Sequence, residues 1–254
     1  MNPGIIFPAS SRCRGHHGVG AATGAHLTRP RSAREVERVG PFDPDERRNT
    51  RRATIDGTEP TIDQMAMVPA QRTDSMAKLD ESRPFLPVNI AVLTVSDTRT
   101  METDTSGRTL AERIAAAGHR VVERRIVKDD SDAIECILRD WIADPAIDVV
   151  ITTGGTGITG RDVTPEAFDR VLEKRIEGFG ELFRMLSYQK IGTSTMQSRA
   201  IGGVAGGTYL FALPGSSGAV KDGWDDILVF QLDNRFRPCN LVELMPRLQE
   251  HLTA

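Results

Sequence analysis

Residues 149–166 read VVITTGGTGITGRDVTPE, and the interpretation of the whole chain turns on them. A run of β-branched residues suits a strand buried on both faces. Gly154, Gly155 and Gly157 follow within four positions. Thr164, Pro165 and Glu166 then open a helix: Thr164 is available as its cap, and a proline at the first helical position loses no needed hydrogen bond. Strand, glycine turn and helix make one βα unit. Glycines let the backbone approach a ligand closely, and N–H groups pointing into such a turn form an anion nest. Thr153 and Thr156 add hydroxyls. No Gly-Lys-Ser/Thr follows, and the spacing is not that of a dinucleotide fold. On glycine spacing alone, a phosphate site and a tight structural turn both stand.

Working outward, the same unit repeats. VNIAVLTV (88–95) is a buried strand, followed by a polar loop. RTLAERIAAAG (108–118) places Leu110, Ile114 and Ala117 at helical spacing and closes on Gly118. HRVVERRIV is a second strand. SDAIECILRDWIAD puts Ile134, Leu138, Trp141 and Ile142 on one face, with Ser131 as the available cap. Alternating strand and helix predict an α/β fold with a mostly parallel sheet covered by helices on both faces. Downstream, EGFGELFRMLSYQKIG is helical, GGTYLFALPGSS is a strand ending in a turn, and SGAVKDGWDDILVFQLD is an amphipathic helix. NRFRPCN breaks it, and a short helix is expected from Leu241.

Ligands of such sheets sit beyond the carboxyl ends of the strands. Four loops fall there, 96–107, 128–132, 154–164 and 214–218, and they predict one shared site. Asp162 follows the glycines, and Asp129 and Asp130 follow the second strand. Carboxylates beside bound phosphate commonly hold Mg²⁺. The plainer readings are an ion pair with Arg161 or a charge at a helix N-terminus for Asp162, and solvation or helix capping for Asp129 and Asp130. Ser194, Ser198, Arg199, Ser216 and Ser217 suit an anionic ligand, although Arg199 alone would serve as well in a surface ion pair. No Gly-x-Ser-x-Gly is present, and His119 is expected at a strand start rather than in catalysis. The residues thus predict a protein binding a phosphorylated ligand with Mg²⁺.

The chain has 254 residues and a net charge of −3, which gives no reason to expect nucleic-acid binding. No apolar stretch is long enough to span a membrane. The cysteines, Cys13, Cys136 and Cys239, imply no disulfide framework, and the expected compartment is the cytoplasm. Residues 1–80 differ from the rest: Arg, Pro, Thr and Gly abound, and no period persists. They read as a disordered extension, or as an artefact if translation starts at Met67 or Met76, with the α/β domain at 81–254. Cys13, His16, His17 and His26 fit no standard zinc spacing.

TTGGTGITGRDVTPEAF, EGFGELFRMLS, GTSTMQSRAIGG and LFALPGSSGAV resemble the motif series of the molybdenum cofactor biosynthesis family that includes the molybdopterin adenylyltransferases. IAVLTVSDTR and DTSG match it too, and FRPCN is similar to its B branch. The resemblance covers about residues 86–242. It implies a three-layer αβα fold, a trimer or a hexamer, and Mg-ATP-dependent adenylylation of molybdopterin with release of pyrophosphate. A molybdate-inserting enzyme would be a further partner. By motif position, Asp129 and Asp162 would be the essential carboxylates and hold Mg²⁺, with Asp130 the adjacent alternative to Asp129. Gly154, Gly155, Thr156 and Gly157 would bind nucleotide or phosphate. Ser198, Arg199, Gly215 and Ser216 would line the pterin or nucleotide pocket. The chain departs from the family where PGSSG puts Ser217 in place of a proline. A molybdopterin carrier with little turnover is the alternative, and a Mg²⁺-dependent phosphotransferase acting on another small substrate is a third reading.

Overall fold

Strand and helix alternate through the first half of the domain, as the hydrophobic pattern dictates. The computed structural model describes residues 78–252. The expectations for the N-terminal extension, for the Cys13 and histidine group and for an internal start therefore fall outside the described residues. The elements run β1 (Lys78–Leu79), β2 (Asn89–Val95), α1 (Thr105–Ala116), β3 (Arg120–Val127), α2 (Ser131–Ile142), β4 (Val149–Thr153), α3 (Thr164–Val171) and β5 (Lys174–Arg175). After them come α4 (Glu177–Ile191), a 3₁₀ segment (Gly192–Gln197), β6 (Ile201–Ala205), β7 (Thr208–Leu213), α5 (Ser217–Gly223), a π turn (Trp224–Leu228), α6 (Val229–Gln231) and β8 (Phe236–Arg237).

The main sheet has the order β3-β2-β4-β7-β6-β5. β3, β2, β4 and β7 are mutually parallel; β6 pairs antiparallel with β7, and the edge strand β5 pairs antiparallel with β6, so β6 alone runs against the others. β6 and β7 form a hairpin whose two-residue turn is Gly206-Gly207, both at positive φ. In the sequence this glycine pair reads as the start of a single strand; it is instead the turn joining two. The C-terminal helix expected from Leu241 is a 3₁₀ segment, Val242–Arg247, with Pro246 inside it. A proline removes an N–H that a regular α-helix would use.

Alternate residues of each strand feed two separate cores. Ile90, Val92, Val149, Ile151, Tyr209 and Phe211 pack against Leu110 and Ile114 of α1, Phe179 and Phe183 of α4, and Val220 of α5. Ala91, Leu93, Val150, Leu210 and Ala212 pack against Ile134 and Leu138 of α2 and Phe168 of α3. Helices on both faces of one mixed sheet make the three-layer α/β architecture. Among the described residues, no helix is long and apolar enough to cross a membrane.

His119 sits just before β3, buried, with its Nδ1 accepting the Val88 N–H at 3.2 Å. Burial holds the imidazole below its ordinary pKa of 6.5, against a smaller opposing pull from Asp233. A histidine that is harder to protonate when folded destabilises the native state as pH falls, because the unfolded chain binds the proton first. Stability from this site is complete above about pH 6.5 and is lost below it. Urea midpoints measured from pH 7.5 to 5.5 should fall for the native chain. The fall should be shallower in His119→Asn, which keeps an acceptor but does not titrate.

Candidate functional site

The strand ends bring their loops to one cleft of about 620 Å³. Thr94, Ser96, Arg99 and Ser106 enter from the β2–α1 side, Asp129 from the end of β3, and Thr153 to Gly157 with Asp162 from the glycine loop. Pro214, Gly215 and Ser216 come from the β7–α5 turn. All four loops identified in the sequence therefore meet.

The glycine loop is shaped by close backbone approach. Gly154 has φ +108, and a Cβ there would lie 2.1 Å from the Val95 carbonyl oxygen. Gly155 has φ +63, and a Cβ there would meet Thr164 Oγ1 at 2.4 Å and Asp129 Oδ1 at 3.1 Å. Gly154 N–H donates to Leu213 O at 3.0 Å, tying the loop to β7. Gly215 packs onto the same loop, since its Cβ position is 3.2 Å from Gly154 Cα. Thr164, expected as the cap of α3, lies inside the helix, and Val163 holds the cap position with no side-chain bond. The Thr164 hydroxyl instead donates to Gly154 O at 2.9 Å, and its N–H to Gly155 O at 3.0 Å. The helix start is thereby bonded to the turn it follows.

Asp129 and Asp162 stand against this turn from two sides. A Cβ on Gly157 would meet Asp162 Oδ2 at 2.7 Å, just as one on Gly155 would meet Asp129. Asp130 turns away: it is the cap of α2, accepting from the N–H groups of Asp132 and Ala133 at 3.0 and 2.9 Å. Ser131, the expected cap, is the first residue of that helix. Burial, then repulsion from Asp97, raises the Asp129 carboxyl above its ordinary value, with Asp162 adding to the effect; the Asp97 N–H and Arg161 pull the other way. Burial also raises Asp162, but the Thr159 hydroxyl at 2.6 Å, the Thr159 N–H at 2.8 Å and the Gly157 N–H outweigh it, so its carboxyl sits below the ordinary value. Arg161 pairs with Asp97, not with Asp162.

A sequence model described as "Probable molybdopterin binding domain" matches residues 91–234. The chain belongs to that family. The matched range of this family contains every loop of the cleft. A molybdenum cofactor biosynthesis protein B from Escherichia coli K12 is 50% identical over 159 residues, covering 63% of this chain and 94% of that protein. A crystal structure of a molybdenum cofactor biosynthesis protein B is 44% identical, with a TM-score of 0.60, over 66% of this chain and 99% of that one. The tungsten cofactor synthesizing protein from Pyrococcus furiosus is 33% identical, with a TM-score of 0.51, over 66% of this chain and 98% of that one.

Within this member of the family, Ser198 lines the cleft and Arg199 does not. The Arg199 guanidinium faces inward, where Nε donates to Gly157 O and Nη2 to Asp162 O, both at 2.6 Å, while Nη1 pairs with Glu166. It braces the glycine turn and the Asp162 loop from behind. Arg199→Met would leave two backbone carbonyls without their charged donor, and is expected to cost about 2 kcal/mol in urea denaturation. Ser216 caps α5 by accepting the Ala219 N–H at 3.1 Å while also lining the cleft.

Three features of this family member were not foreseen in its sequence. Arg99 is the one cationic side chain among the described lining residues. α4 adds Phe183, Ser187 and Ile191 to a wall continued by Thr195 and by Ser194, which the sequence had already singled out. Asp104 is fully buried behind the first loop, where it accepts from Thr94 Oγ1 at 2.8 Å, Gly107 N at 2.8 Å and Arg124 Nη2 at 2.8 Å. It fixes the Thr94 and Ser106 wall, and only its place in DTSG signalled it.

Proposed function

We propose that the chain serves molybdenum cofactor biosynthesis by adenylylating molybdopterin with Mg-ATP. The observation that carries this is the placement of Asp129 and Asp162 against Gly155 and Gly157 in one cleft. Two carboxylates beside an anion-binding turn would repel phosphates unless a cation intervened. Burial is the main cause that holds the Asp129 carboxyl above its ordinary value, and repulsion from Asp97 and Asp162 adds to it.

The donor set fits Mg²⁺. Among the described residues no cluster of three or more His, Cys, Asp or Glu side chains could hold a metal. The protein therefore offers one or two carboxylates, and the remaining ligands would be phosphate oxygens and water, which is how Mg²⁺ is usually bound. Asp129 and Asp162 would hold it, and when bound it neutralises charge on the phosphates.

The chain's own groups bring two anionic substrates together. The N–H groups of Gly155 and Thr156 take no part in the backbone hydrogen bonds described, so the turn can bind a phosphate. Arg99 adds a positive charge at the opposite loop. A terminal phosphate oxygen of molybdopterin attacks the α-phosphorus of ATP. The bond from that phosphorus to the β-phosphate oxygen breaks, and its electron pair leaves with pyrophosphate. No protein nucleophile is required; positioning and charge stabilisation do the work. A homo-oligomer in the cytoplasm belongs to the same reading, and exposed apolar residues of α4 outside the cleft, Leu182, Met185 and Tyr188, support the oligomer. The test is release of pyrophosphate with formation of adenylyl-molybdopterin by the purified chain.

A further inference from the structure

The cleft has two chemically different ends. One is the glycine turn with Asp129 and Asp162. The other lies between α4 and α5, where Phe183, Ser187 and Ile191 recur every fourth residue along one face of α4. Opposite them, Ala219 and Asp222 lie three residues apart on α5 and line the same cleft. An aromatic and an aliphatic wall with hydroxyls at its edge suits a planar heterocycle with polar edges. Both substrates proposed above carry a bicyclic ring and a phosphate, so this end has to distinguish between two rings.

Asp222 is the group able to do so. Its side chain is 21% exposed, and its Oδ1 accepts from Lys190 Nζ at 2.7 Å. Lys190 also holds Asp226 at 3.0 Å, anchoring the pair across α4 and α5. The second oxygen of Asp222 makes no hydrogen bond among those described. The aminopyrimidinone edge of a pterin presents two adjacent donors, N3–H and the 2-amino group, both of which a carboxylate can accept. Adenine presents one donor beside the N1 acceptor, whose lone pair a carboxylate repels. Resting on the molybdopterin reading, we infer that Asp222 recognises the aminopyrimidinone edge of the pterin and thereby assigns the α4–α5 end of the cleft to molybdopterin rather than to adenine. ATP would then reach the glycine turn from the other side.

The test uses the full chain and two soluble probes, 6-hydroxymethylpterin monophosphate and its 2,4-dioxo counterpart, which lacks the 2-amino donor. Binding is followed by calorimetry, with AMP measured alongside. The native chain should bind the pterin roughly 10- to 100-fold more tightly than the dioxo compound. Asp222→Asn should erase that preference and leave AMP affinity within about threefold. Lys190→Gln, which removes the ion pair but keeps the carboxylate, should retain the preference. Equal pterin affinity in the native chain and Asp222→Asn would overturn the inference while leaving the molybdopterin reading intact. So would a parallel loss of AMP binding. A native chain that binds no pterin phosphate would overturn both.

Discussion

Asp162→Asn should leave a folded protein that still binds molybdopterin but turns it over roughly a thousandfold more slowly. The substitution keeps the shape of the side chain. Its amide oxygen can still accept from Thr159 N–H and Oγ1, the donors that hold one oxygen of the native carboxylate at 2.8 and 2.6 Å. What disappears is one of the two negative charges facing the glycine turn, and with it a ligand for the cation that screens two phosphorylated substrates. Binding should change only a few-fold, because a neutral group repels phosphate less than a carboxylate does. The measurements are a turnover rate at saturating ATP and a direct binding titration on the same preparation. Native turnover in the variant would remove Asp162 from the mechanism.

The second large effect is structural. Gly154→Ala combines two penalties at one residue. At φ +108 an L-residue is strained, and the new methyl would sit 2.1 Å from the Val95 carbonyl oxygen. Backbone on one side and the β7 connection through Leu213 O on the other leave little room to move. The expected loss is roughly 4 kcal/mol, a large share of an ordinary domain's stability. Gly160→Ala provides the control. No atom lies within 4 Å of a Cβ built at Gly160, so its effect should stay within about 0.5 kcal/mol. Urea denaturation of the two variants side by side separates a loop that merely contains glycines from one that needs a particular glycine. Equal stability of the two would contradict the close-approach account.

Much of this architecture is legible in the chain because hydrophobic runs and turn residues act locally. The strands at 89–95 and 149–153 are short apolar stretches with polar ends, and parallel strands of this kind deliver their following loops to one edge. That rule alone locates Asp129, Asp162 and the glycines. It does not extend to α4, which precedes the antiparallel part of the sheet, so its cleft-lining face is set by packing of Phe179 and Phe183 on the core. Nor does it separate neighbours of the same type. Asp129 and Asp130 look alike in sequence, and only the backbone at the start of α2 shows that Asp130 is occupied with Asp132 and Ala133. Arg199 is a similar case. Its charge suggests an anionic ligand, whereas its place behind the loop gives it the carbonyls of Gly157 and Asp162. Long-range hydrogen bonds of this kind leave no periodic trace in the chain.

The most direct test of the central claim is a single incubation of the purified native chain with molybdopterin, ATP and Mg²⁺, following pyrophosphate and the nucleotide-linked pterin together. The two products are expected in equal amounts, with no ADP and no product when Mg²⁺ is chelated. Tight molybdopterin binding with no pyrophosphate released would contradict it and leave a carrier. Attention would then fall on the turn where Ser217 stands in place of the family's proline.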